Sequence, residues 1–453
     1  MIRKAKLILG IFLLTLLTPP TIIADSYDAR GNERIARASD APIPLAACGE
    51  ITSAGNYRVT ANLKSQWDCL VIRASNVALD CDGRAIEGNN FEGAGVLVKA
   101  TLARLENIEI KNCKISNQHY GIYVEAGKNI FAHNNDLSRN YDDTARTLFG
   151  KTMGWVDGGG LRMDRVDGGV IEKNIANENA NGIDARQSER VIVRNNIAGW
   201  NTAAGIFFWD TSHSEIRGNT VNDNHRWCVL KGGEFDGWAV PGCDTAGILL
   251  QDGSSENLIA QNAVVGQNGD GIYIRADGMK CGDGNAILNN RVTGALWNAI
   301  EVGYCARTVI AGNEIANAKI GVYATFVDSV EIRDNAIRNV DQFGIALKNS
   351  AGALIARNDI RASPEGIFLS ADARNRDWLW FLSQSGDAYR SYGNLVQENH
   401  LRDLTNGIHL RDSTANRLIA NDFVNVQRNY WLEGDVSGNA IRTRDVFLKR
   451  ELE

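Results

Sequence analysis

Proline is scarce in this chain of 453 residues, with six prolines in all and only Pro241 and Pro364 beyond residue 44. Because proline cannot donate to a β-sheet ladder, this scarcity is what extended sheets require. No segment after residue 24 is apolar enough to span a bilayer, which argues against membrane insertion. The net charge of −6 lacks the basic excess of a general nucleic-acid binder. We therefore expect a β-rich protein that neither binds nucleic acid nor inserts into a membrane.

The first 24 residues have the three parts of a secretory signal. Basic residues at positions 3, 4 and 6 precede an apolar stretch from Leu7 to Leu17, and Ala24 ends a plausible cleavage site. The apolar stretch is shorter than the roughly 20 residues of a membrane-spanning helix, and two prolines follow it. We expect cleavage after Ala24 and export to the periplasm or the medium.

A short phrase recurs from residue 95 onward: a small residue, an apolar residue, and then alternating residues that end on an apolar one. It begins at Gly121, Gly160, Gly182, Gly205, Gly247, Gly271, Ala299, Gly321, Gly344, Gly366 and Gly407. Most steps are about 22 to 28 residues, and three are near 40, which fits one coil plus an insertion. The predicted insertions are Tyr141–Gly159, His225–Ala246 and Ser370–Gly393, and all contain tryptophan.

A second phrase, apolar-x-x-Asn, in which the polar residue comes three positions after the apolar one, lies between successive copies of the first. Its polar members are Asn134, Asn174, Asn195, Asn219, Asn262, Asn290, Asn313, Asn335, Asn358, Asn399 and Asp422. A buried polar side chain is costly unless its groups are paired. Asparagines stacked at one phase of a repeat satisfy this condition, because each amide can donate to one coil and accept from the other. The phase therefore predicts an asparagine ladder.

Together the two phrases, repeated over residues 95 to 425, resemble the parallel β-helix repeat family. Pectate lyase-like proteins, secreted polysaccharide lyases and hydrolases, alginate C5-epimerases and NosD-type periplasmic proteins share that fold. The resemblance implies an all-β, single-stranded right-handed parallel β-helix of about 12 to 13 coils with terminal caps. It says little about activity, because one fold hosts many chemistries.

The repeat divides the chain into five predicted parts. They are a signal peptide (1–24), a loose segment (25–45), an N-terminal cap with the first coil (46–94), the parallel β-helix (95–429) and a C-terminal cap (430–453). We expect the mature protein to be a monomer.

Eight cysteines in an exported chain predict disulfide bonds, and no pair has the C-x₂-C spacing of a zinc site. Spacing suggests the pairs Cys228/Cys243 and Cys281/Cys305 within loops, Cys81/Cys113 between coils, and Cys48/Cys69 in the N-terminal cap.

Alternation along a strand assigns the faces of the first phrase. Positions +1 and +3 after the small residue are apolar and should point inward, so positions +2 and +4 should point outward. The outward positions carry carboxylates, arginines and aromatic rings such as Tyr123, Phe207 and Trp209. Aromatic rings contact the apolar faces of sugars, and arginines bind carboxylates with two hydrogen bonds. We interpret the outer face as a groove for a polysaccharide, either acidic or neutral. The alternative is an inert decorated surface.

Asp164 and Asp184 are the strongest catalytic candidates. They lie on adjacent coils, offset by two residues, which puts their Cα atoms about 8 Å apart. That separation covers the carboxyl spacings of both retaining and inverting glycosidases. Arg162 and Arg186 flank them and would bind substrate or hold one carboxylate ionised. The alternative is an Arg–Asp ladder without catalytic function.

Two further groups lie downstream on the same face. Glu301 is a catalytic candidate, and His409 is outward-facing and could act as a base in a proton abstraction. The remaining predicted substrate-binding residues are Trp209, Tyr273, Arg275, Tyr323, Lys348 and Arg411. The segment Ala276–Gly284 hints at calcium without the ligand density of a true site, so no cofactor or metal is predicted.

Some family signatures are missing from the sequence. The Asp-Pro-His-Asp segment shared by alginate C5-epimerases does not occur, and six scattered histidines and four methionines argue against copper handling of the NosD type. The only Asp-Asp pair, which polygalacturonase-type hydrolases carry after a glycine, is Asp142-Asp143 in a predicted loop. The sequence favours glycoside hydrolysis by the aspartate pair. A uronate lyase or C5-epimerase is the first alternative, and a non-catalytic carbohydrate-binding or assembly factor is the second.

Overall fold

The computed structural model describes residues 41–89, 91–100, 104–140, 146–148, 151–153, 158–224, 246–276, 282–372 and 390–442. These residues form a right-handed parallel β-helix, as the repeat predicted. Strands of successive coils pair in parallel, so each residue of the phrase lies beside its equivalent in the next coil. None of the described residues belongs to a helix that could cross a membrane.

Each coil has three strands, which form three sheets along the axis. In one coil, Asn181–Arg186 belongs to sheet I, Ile192–Arg194 to sheet II and Ile197–Gly199 to sheet III, and the chain then enters sheet I again at Ile206–Trp209. The glycine phrase forms sheet I. The apolar-x-x-Asn phrase forms sheet II and the turn that follows it.

Successive strands of each sheet come from successive coils. Sheet I contains Gly49–Ile51, Leu70–Ile72, Ala94–Val98, Tyr120–Val124, Gly159–Asp164, Asn181–Arg186, Ile206–Trp209, Ala246–Gln251, Asp270–Arg275 and Asn298–Gly303. Sheet II has 16 strands, namely Ile43–Leu45, Gly55–Val59, Val77–Asp80, Leu105–Lys111, Gly127–His133, Val166–Glu172, Ile192–Arg194, Glu215–Arg217, Leu258–Ala260, Ala286–Leu288, Val309–Ala311, Glu331–Arg333, Leu354–Ala356, Leu395–Gln397, Arg417–Ile419 and Ala440–Arg442. Sheet III contains Leu63–Ser65, Ala85–Gly88, Lys114–Ser116, Ile197–Gly199, Thr220–Asn222, Ala263–Val265 and Arg291–Thr293.

From residue 314 onward, sheets III and I share continuous strands. These are Glu314–Thr325, Ala336–Lys348, Asp359–Ser370, His400–Arg411 and Asp422–Glu433. Two short pairings lie outside the three sheets, an antiparallel one between Arg146–Leu148 and Lys151–Met153 and a parallel one between Ser391–Tyr392 and Ser413–Thr414.

The core is the interior of the coils, and the predicted inward positions fill it. Ile183, Ala185, Ile206 and Phe208 are fully buried, which confirms the assignment of faces. The small residue that opens the phrase is needed because coils approach closely there. A Cβ atom on Gly182 would lie 2.5 Å from the carbonyl oxygen of the glycine in the next coil.

The asparagine ladder is present, with three corrections to its members. Its rungs are Asn135, Asn174, Asn196, Asn219, Asn262, Asn290, Asn313, Asn335, Asn358, Asn399 and Asn421. Each side-chain amide donates to the next rung and to a backbone carbonyl, as Asn174 does to Asn196 at 3.1 Å and to Ala132 at 3.0 Å.

The predicted rungs Asn134, Asn195 and Asp422 are wrong by one residue. Asn134 and Asn195 are exposed and adopt left-handed backbone conformations, with φ of 55° and 56°, immediately before the true rungs. Asparagine suits the exposed position because it tolerates the left-handed backbone region. It also suits the buried position that follows, because its amide can pair with other amides in the interior. Asp422 opens the strand that follows the rung.

Two predicted disulfide bonds are confirmed, Cys48–Cys69 and Cys81–Cys113. Each joins equivalent positions of adjacent coils, and the second continues the ladder row, because the Cys113 N–H donates to Oδ1 of Asn135 at 2.9 Å. Cys305 is also disulfide-bonded. Its predicted partner Cys281, the pair Cys228/Cys243 and most of the three predicted insertions lie outside the described residues.

Candidate functional site

The outer face of sheet I is more enclosed than an ordinary solvated sheet face. Asp184 is 2 % exposed and Asp164 6 %, although both are at outward positions. Aromatic side chains account for part of this enclosure, because Tyr120 and Tyr123 pack beside Leu97, and Phe207 packs beside Leu249.

Arg162, Asp164, Asp184 and Arg186 form one compact group, which we call the arginine–aspartate cluster. Arg162 is in register with Asp184, and Asp164 with Arg186, which confirms the predicted offset of the two aspartates. Each arginine binds the aspartate of its own strand. Arg162 donates to both oxygens of Asp164 at 2.9 and 3.0 Å, and Arg186 donates to Asp184 at 2.8 to 3.0 Å.

Two tyrosines and a phenylalanine surround the cluster. The Tyr123 hydroxyl donates to Oδ2 of Asp164 at 2.9 Å, and the Tyr120 hydroxyl accepts from Arg162 at 2.9 Å. The Arg186 guanidinium lies over the Phe207 ring, 5.3 Å from its centroid. Tyr120 was not among the predicted site residues. Tyr120 directly precedes Gly121, and the pairing with the next strand skips that glycine. Counting alternate positions from Gly121 therefore does not show that the Tyr120 side chain points outward.

The electrostatics of the cluster favour charged arginines and a protonated Tyr123 hydroxyl. Burial acts to lower the pKa of Arg162, but the hydrogen bonds to Asp164 and the charge of Asp184 outweigh it and raise that pKa above its ordinary value. The pKa of Arg186 is raised in the same way by Asp184, against its burial. Burial, reinforced by the charge and hydrogen bond of Asp164, raises the pKa of Tyr123 well above its usual range.

These contacts determine what the cluster can do chemically. Two-point binding to a guanidinium uses the carboxylate form of each aspartate, which is the form that can accept a proton. The general acid of a glycosidase needs the opposite environment, one that keeps a carboxyl group protonated. Tyr123 remains protonated and is therefore suited to donate a proton rather than to act as a base.

The second predicted group lies downstream of Asp184 on the same face. Glu301 is in register with Tyr273 on one side and Tyr323 on the other, and its carboxylate accepts a hydrogen bond from the Asn298 side chain. Burial and the charge of Glu301 raise the pKa of Tyr323 to about 12. The predicted site residues Arg275 and Trp209 also lie on this face; Arg275 lies over the Tyr273 ring at 5.6 Å, and Trp209 donates to Asp252 at 2.9 Å.

His409 is on the outer face but differs from the prediction in being buried, with 4 % exposure. Its ring stacks on Trp431 with centroids 4.0 Å apart and contacts Phe368 at 4.6 Å. Its two nitrogens face the carboxylates of Glu365 at 2.9 Å and Glu433 at 3.4 Å. These partners come from neighbouring coils far apart in sequence, and they leave neither ring nitrogen open to a substrate.

Lys348 and Arg411, predicted to bind substrate, lie near His409 on the outer face. Lys348 lies over the Tyr323 ring at 5.7 Å, and Arg411 lies over the Phe368 ring at 5.0 Å. They are in register with Ser370 on opposite sides of it, so the two cations are two coils apart.

The segment considered for calcium is only partly described. Residues 277–281 lie outside the described residues, and Asp283 accepts hydrogen bonds from the Ala306 N–H at 3.0 Å and from Arg307 at 3.2 Å. In the described ranges, no group of three or more His, Cys, Asp and Glu side chains could hold a metal ion.

The chain belongs to the family described as right handed beta helix region, whose model matches residues 51–221 and 278–445, more than half of its length. A second model, for the periplasmic copper-binding protein NosD, matches residues 144–300. In the described part of this segment, no group of three or more His, Cys, Asp and Glu side chains could hold a metal ion. No curated protein matches the chain.

Several solved structures are similar to the chain. The A-module of mannuronan C-5 epimerase AlgE4 from Azotobacter vinelandii is 17% identical, with 87% of this chain and 89% of that chain covered and a TM-score of 0.47. A double mutant of the periplasmic alginate epimerase AlgG is 10% identical, with 82% and 78% covered and a TM-score of 0.50. PfbA, a surface adhesin of Streptococcus pneumoniae, is 12% identical, with 84% of each chain covered and a TM-score of 0.38. At these identities the likeness shows the fold alone.

Proposed function

We propose that this chain is an exported protein that binds an acidic polysaccharide along the outer face of sheet I and removes the C5 proton of a uronate residue at the arginine–aspartate cluster. The observation that carries the proposal is the hydrogen-bond geometry of the cluster. Both aspartates have two-point contacts with arginine, and the Tyr123 hydroxyl, whose pKa is raised, donates to Asp164. A carboxylate and a protonated tyrosine are the groups that proton abstraction and return require.

Arg186 is suited to bind the carboxylate of a uronate residue. It is the more exposed arginine of the cluster, and among the described residues its Nη1 has no protein acceptor, because the contacts to Asp184 use Nε and Nη2. A guanidinium contact neutralises the uronate carboxylate and so makes the adjacent C5–H more acidic. Asp164 is in register with Arg186, about 4.8 Å away along the helix axis, so the C5 atom would come near its carboxylate.

The proposed reaction begins when Asp164 takes the C5 proton, and the electron pair of the broken C–H bond moves onto the uronate carboxylate held by Arg186. Donation of the Tyr123 proton to the opposite side of C5 gives the epimer, and the proton held by Asp164 then returns to Tyr123 along their hydrogen bond. Alternatively, the C4–O bond breaks, the leaving oxygen takes the Tyr123 proton, and the product has a C4–C5 double bond. Both outcomes share the first step, and the cluster alone does not choose between them.

Hydrolysis by Asp164 and Asp184, the first expectation from the sequence, has less support. It needs one of the two carboxyl groups to be protonated, and both have arginine partners. Binding without catalysis is the third possibility. All three assign a carbohydrate partner to the same face, and they differ in product.

Two observations support an exported location and a polysaccharide partner. The disulfide bonds Cys48–Cys69 and Cys81–Cys113 are typical of an oxidising compartment. The second matching family model is that of a periplasmic protein, and AlgG is a periplasmic alginate epimerase. Cleavage after Ala24 remains part of the proposal.

Product analysis with matched variants tests the proposal. The protein is incubated with polymannuronate, polygalacturonate and neutral dextran, and the products are measured for ultraviolet absorbance of unsaturated uronate, sugar stereochemistry and reducing ends. Asp164→Asn should lower the rate about 10²- to 10⁴-fold, the usual contribution of a general base. The control Arg361→Gln removes an exposed charge whose strand segment belongs to sheet III, and it should retain full activity. New reducing ends without double bonds would indicate hydrolysis, and unchanged polymers would indicate binding alone.

A further inference from the structure

Lys348 and Arg411 differ from the two arginines of the arginine–aspartate cluster in having no ion pair with a described residue. Among the described residues, neither Lys348 nor Arg411 has a carboxylate within ion-pair distance, whereas Arg162 and Arg186 each have one. Both side chains are half-buried, and a charge held partly out of water without a partner is unfavourable. The two cations therefore need an anionic ligand, and the described part of the protein does not supply one.

Ser370 lies between the two cations and has its own unmet hydrogen bond. It is fully buried, and its Oγ has no hydrogen-bond partner among the described residues. Its neighbours Ile367 and Leu369 point into the core, so alternation directs the Ser370 side chain outward, between Lys348 and Arg411. A buried hydroxyl without a hydrogen-bond partner is rare in proteins. A bound oxyanion would accept a hydrogen bond from Ser370 and would also pair with the charges of Lys348 and Arg411.

The carboxylates near these cations have other contacts. Glu365 and Glu433 face the two nitrogens of His409. Asp372 lies close enough for its charge to raise the pKa of Tyr323, a smaller effect than burial and Glu301. Glu433 is in register with Arg411 on the next coil, but its carboxylate lies 3.4 Å from His409, and no ion pair joins it to Arg411 among the described residues.

We infer that Lys348, Ser370 and Arg411 form an anion subsite, separate from the arginine–aspartate cluster, for a carboxylate or sulfate group of the polysaccharide. The inference rests on the proposed binding face. Lys348 and Arg411 have long flexible side chains, so they can part to admit an oxyanion without any backbone change.

The position of the subsite implies a minimum length of ligand. Following the strand pairing from Arg186, Lys348 is six coils away and Arg411 is eight, which at about 4.8 Å a coil is roughly 29 and 38 Å. A chain that occupies both the cluster and the subsite must extend at least that far. Two linked contacts on a rigid face strengthen binding only for ligands long enough to span them.

The test measures the affinity of polygalacturonate for the full chain, using long polymer and fragments shorter than this span, with dextran sulfate and neutral dextran in parallel. The double variant Lys348→Met/Arg411→Gln should bind long polygalacturonate about tenfold or more weakly and short fragments at the cluster normally. The double variant Arg361→Gln/Arg402→Gln removes the same charge from sheet III segments of neighbouring coils and should bind as the wild type does. Comparison of polygalacturonate with dextran sulfate shows which anion the subsite prefers.

Ser370→Ala separates binding from folding. The hydroxyl has no partner among the described residues, so its removal should leave the melting temperature unchanged or raised while weakening long-polymer binding severalfold. Lys348→Arg, which keeps the charge, should restore most of the affinity lost with Lys348→Met. Wild-type affinity of both the double variant and Ser370→Ala for long polygalacturonate would overturn the subsite while leaving the proposed function intact. If the wild type bound none of the polyanions, the proposed function itself would fail, and the subsite with it.

Discussion

Replacing Asn219 by alanine removes one rung of the asparagine ladder and should strongly destabilise the β-helix. The Asn219 side-chain oxygen accepts from the backbone N–H and the amide of Asn196 at 2.9 and 3.0 Å, and its own amide donates to Val193 at 2.9 Å and to Asn262 at 3.0 Å. Alanine would leave two donors of Asn196, its backbone N–H and one amide hydrogen, buried without partners. At about 1 to 3 kcal/mol for each unsatisfied group, the expected loss is on the order of 2 to 6 kcal/mol.

The matched control is Asn195→Ala. Asn195 lies in the ladder turn of the preceding coil but is exposed, with φ of 56°. Alanine at this position loses only the tolerance of asparagine for the left-handed backbone region, which should lower the free energy of unfolding by about 1 kcal/mol. Urea unfolding followed by circular dichroism gives the global effect, and native-state hydrogen exchange at Asn196 reports on the coil itself. Equal destabilisation by the two variants would refute the view that the interior rung stabilises the coil.

Three further predictions concern acid stability, oxidation and catalysis. A hydrogen bond from His133, together with Lys111 and against the effect of burial, lowers the pKa of Glu109. The ionised Glu109 therefore stabilises the fold above pH about 4.5, and this contribution is lost as the pH falls. Glu109→Gln should flatten the acid limb of a stability–pH curve, and an unchanged limb would contradict this. Replacing Cys81 and Cys113 together by serine should lower the free energy of unfolding in urea by about 2 to 4 kcal/mol. Wild-type stability of this variant would show that the disulfide bond does not stabilise the fold. Tyr123→Phe should lower kcat about 10²- to 10⁴-fold with little change in KM, and a loss confined to KM would make Tyr123 a binding residue only.

Much of the fold could be predicted from the sequence because both phrases have a physical cause. The glycine at position 182 is needed where two coils nearly touch, and the interior asparagines pair with one another from coil to coil. The one-residue errors at Asn134 and Asn195 arose because two adjacent asparagines satisfy different requirements, and sequence alone does not say which amide is buried.

The site could be predicted only in part. The offset of Asp164 and Asp184 follows from the repeat period and is observed in the strand register. The ion pairs within each strand depend on side-chain rotamers, which the spacing does not determine. The burial of His409 depends on rings supplied by two neighbouring coils, so its outward position in the strand did not predict it.

The most direct test of the proposed chemistry is deuterium exchange at C5. Polymannuronate, polygalacturonate and other uronate polymers are incubated with the protein in heavy water, and deuterium at C5 is measured by mass spectrometry and nuclear magnetic resonance. Proton abstraction at the cluster predicts deuterium at C5 or loss of the C5 hydrogen to a double bond, with both abolished in Asp164→Asn and retained in Arg361→Gln. A polymer that the protein cleaves or binds while every C5 hydrogen stays in place would contradict the account.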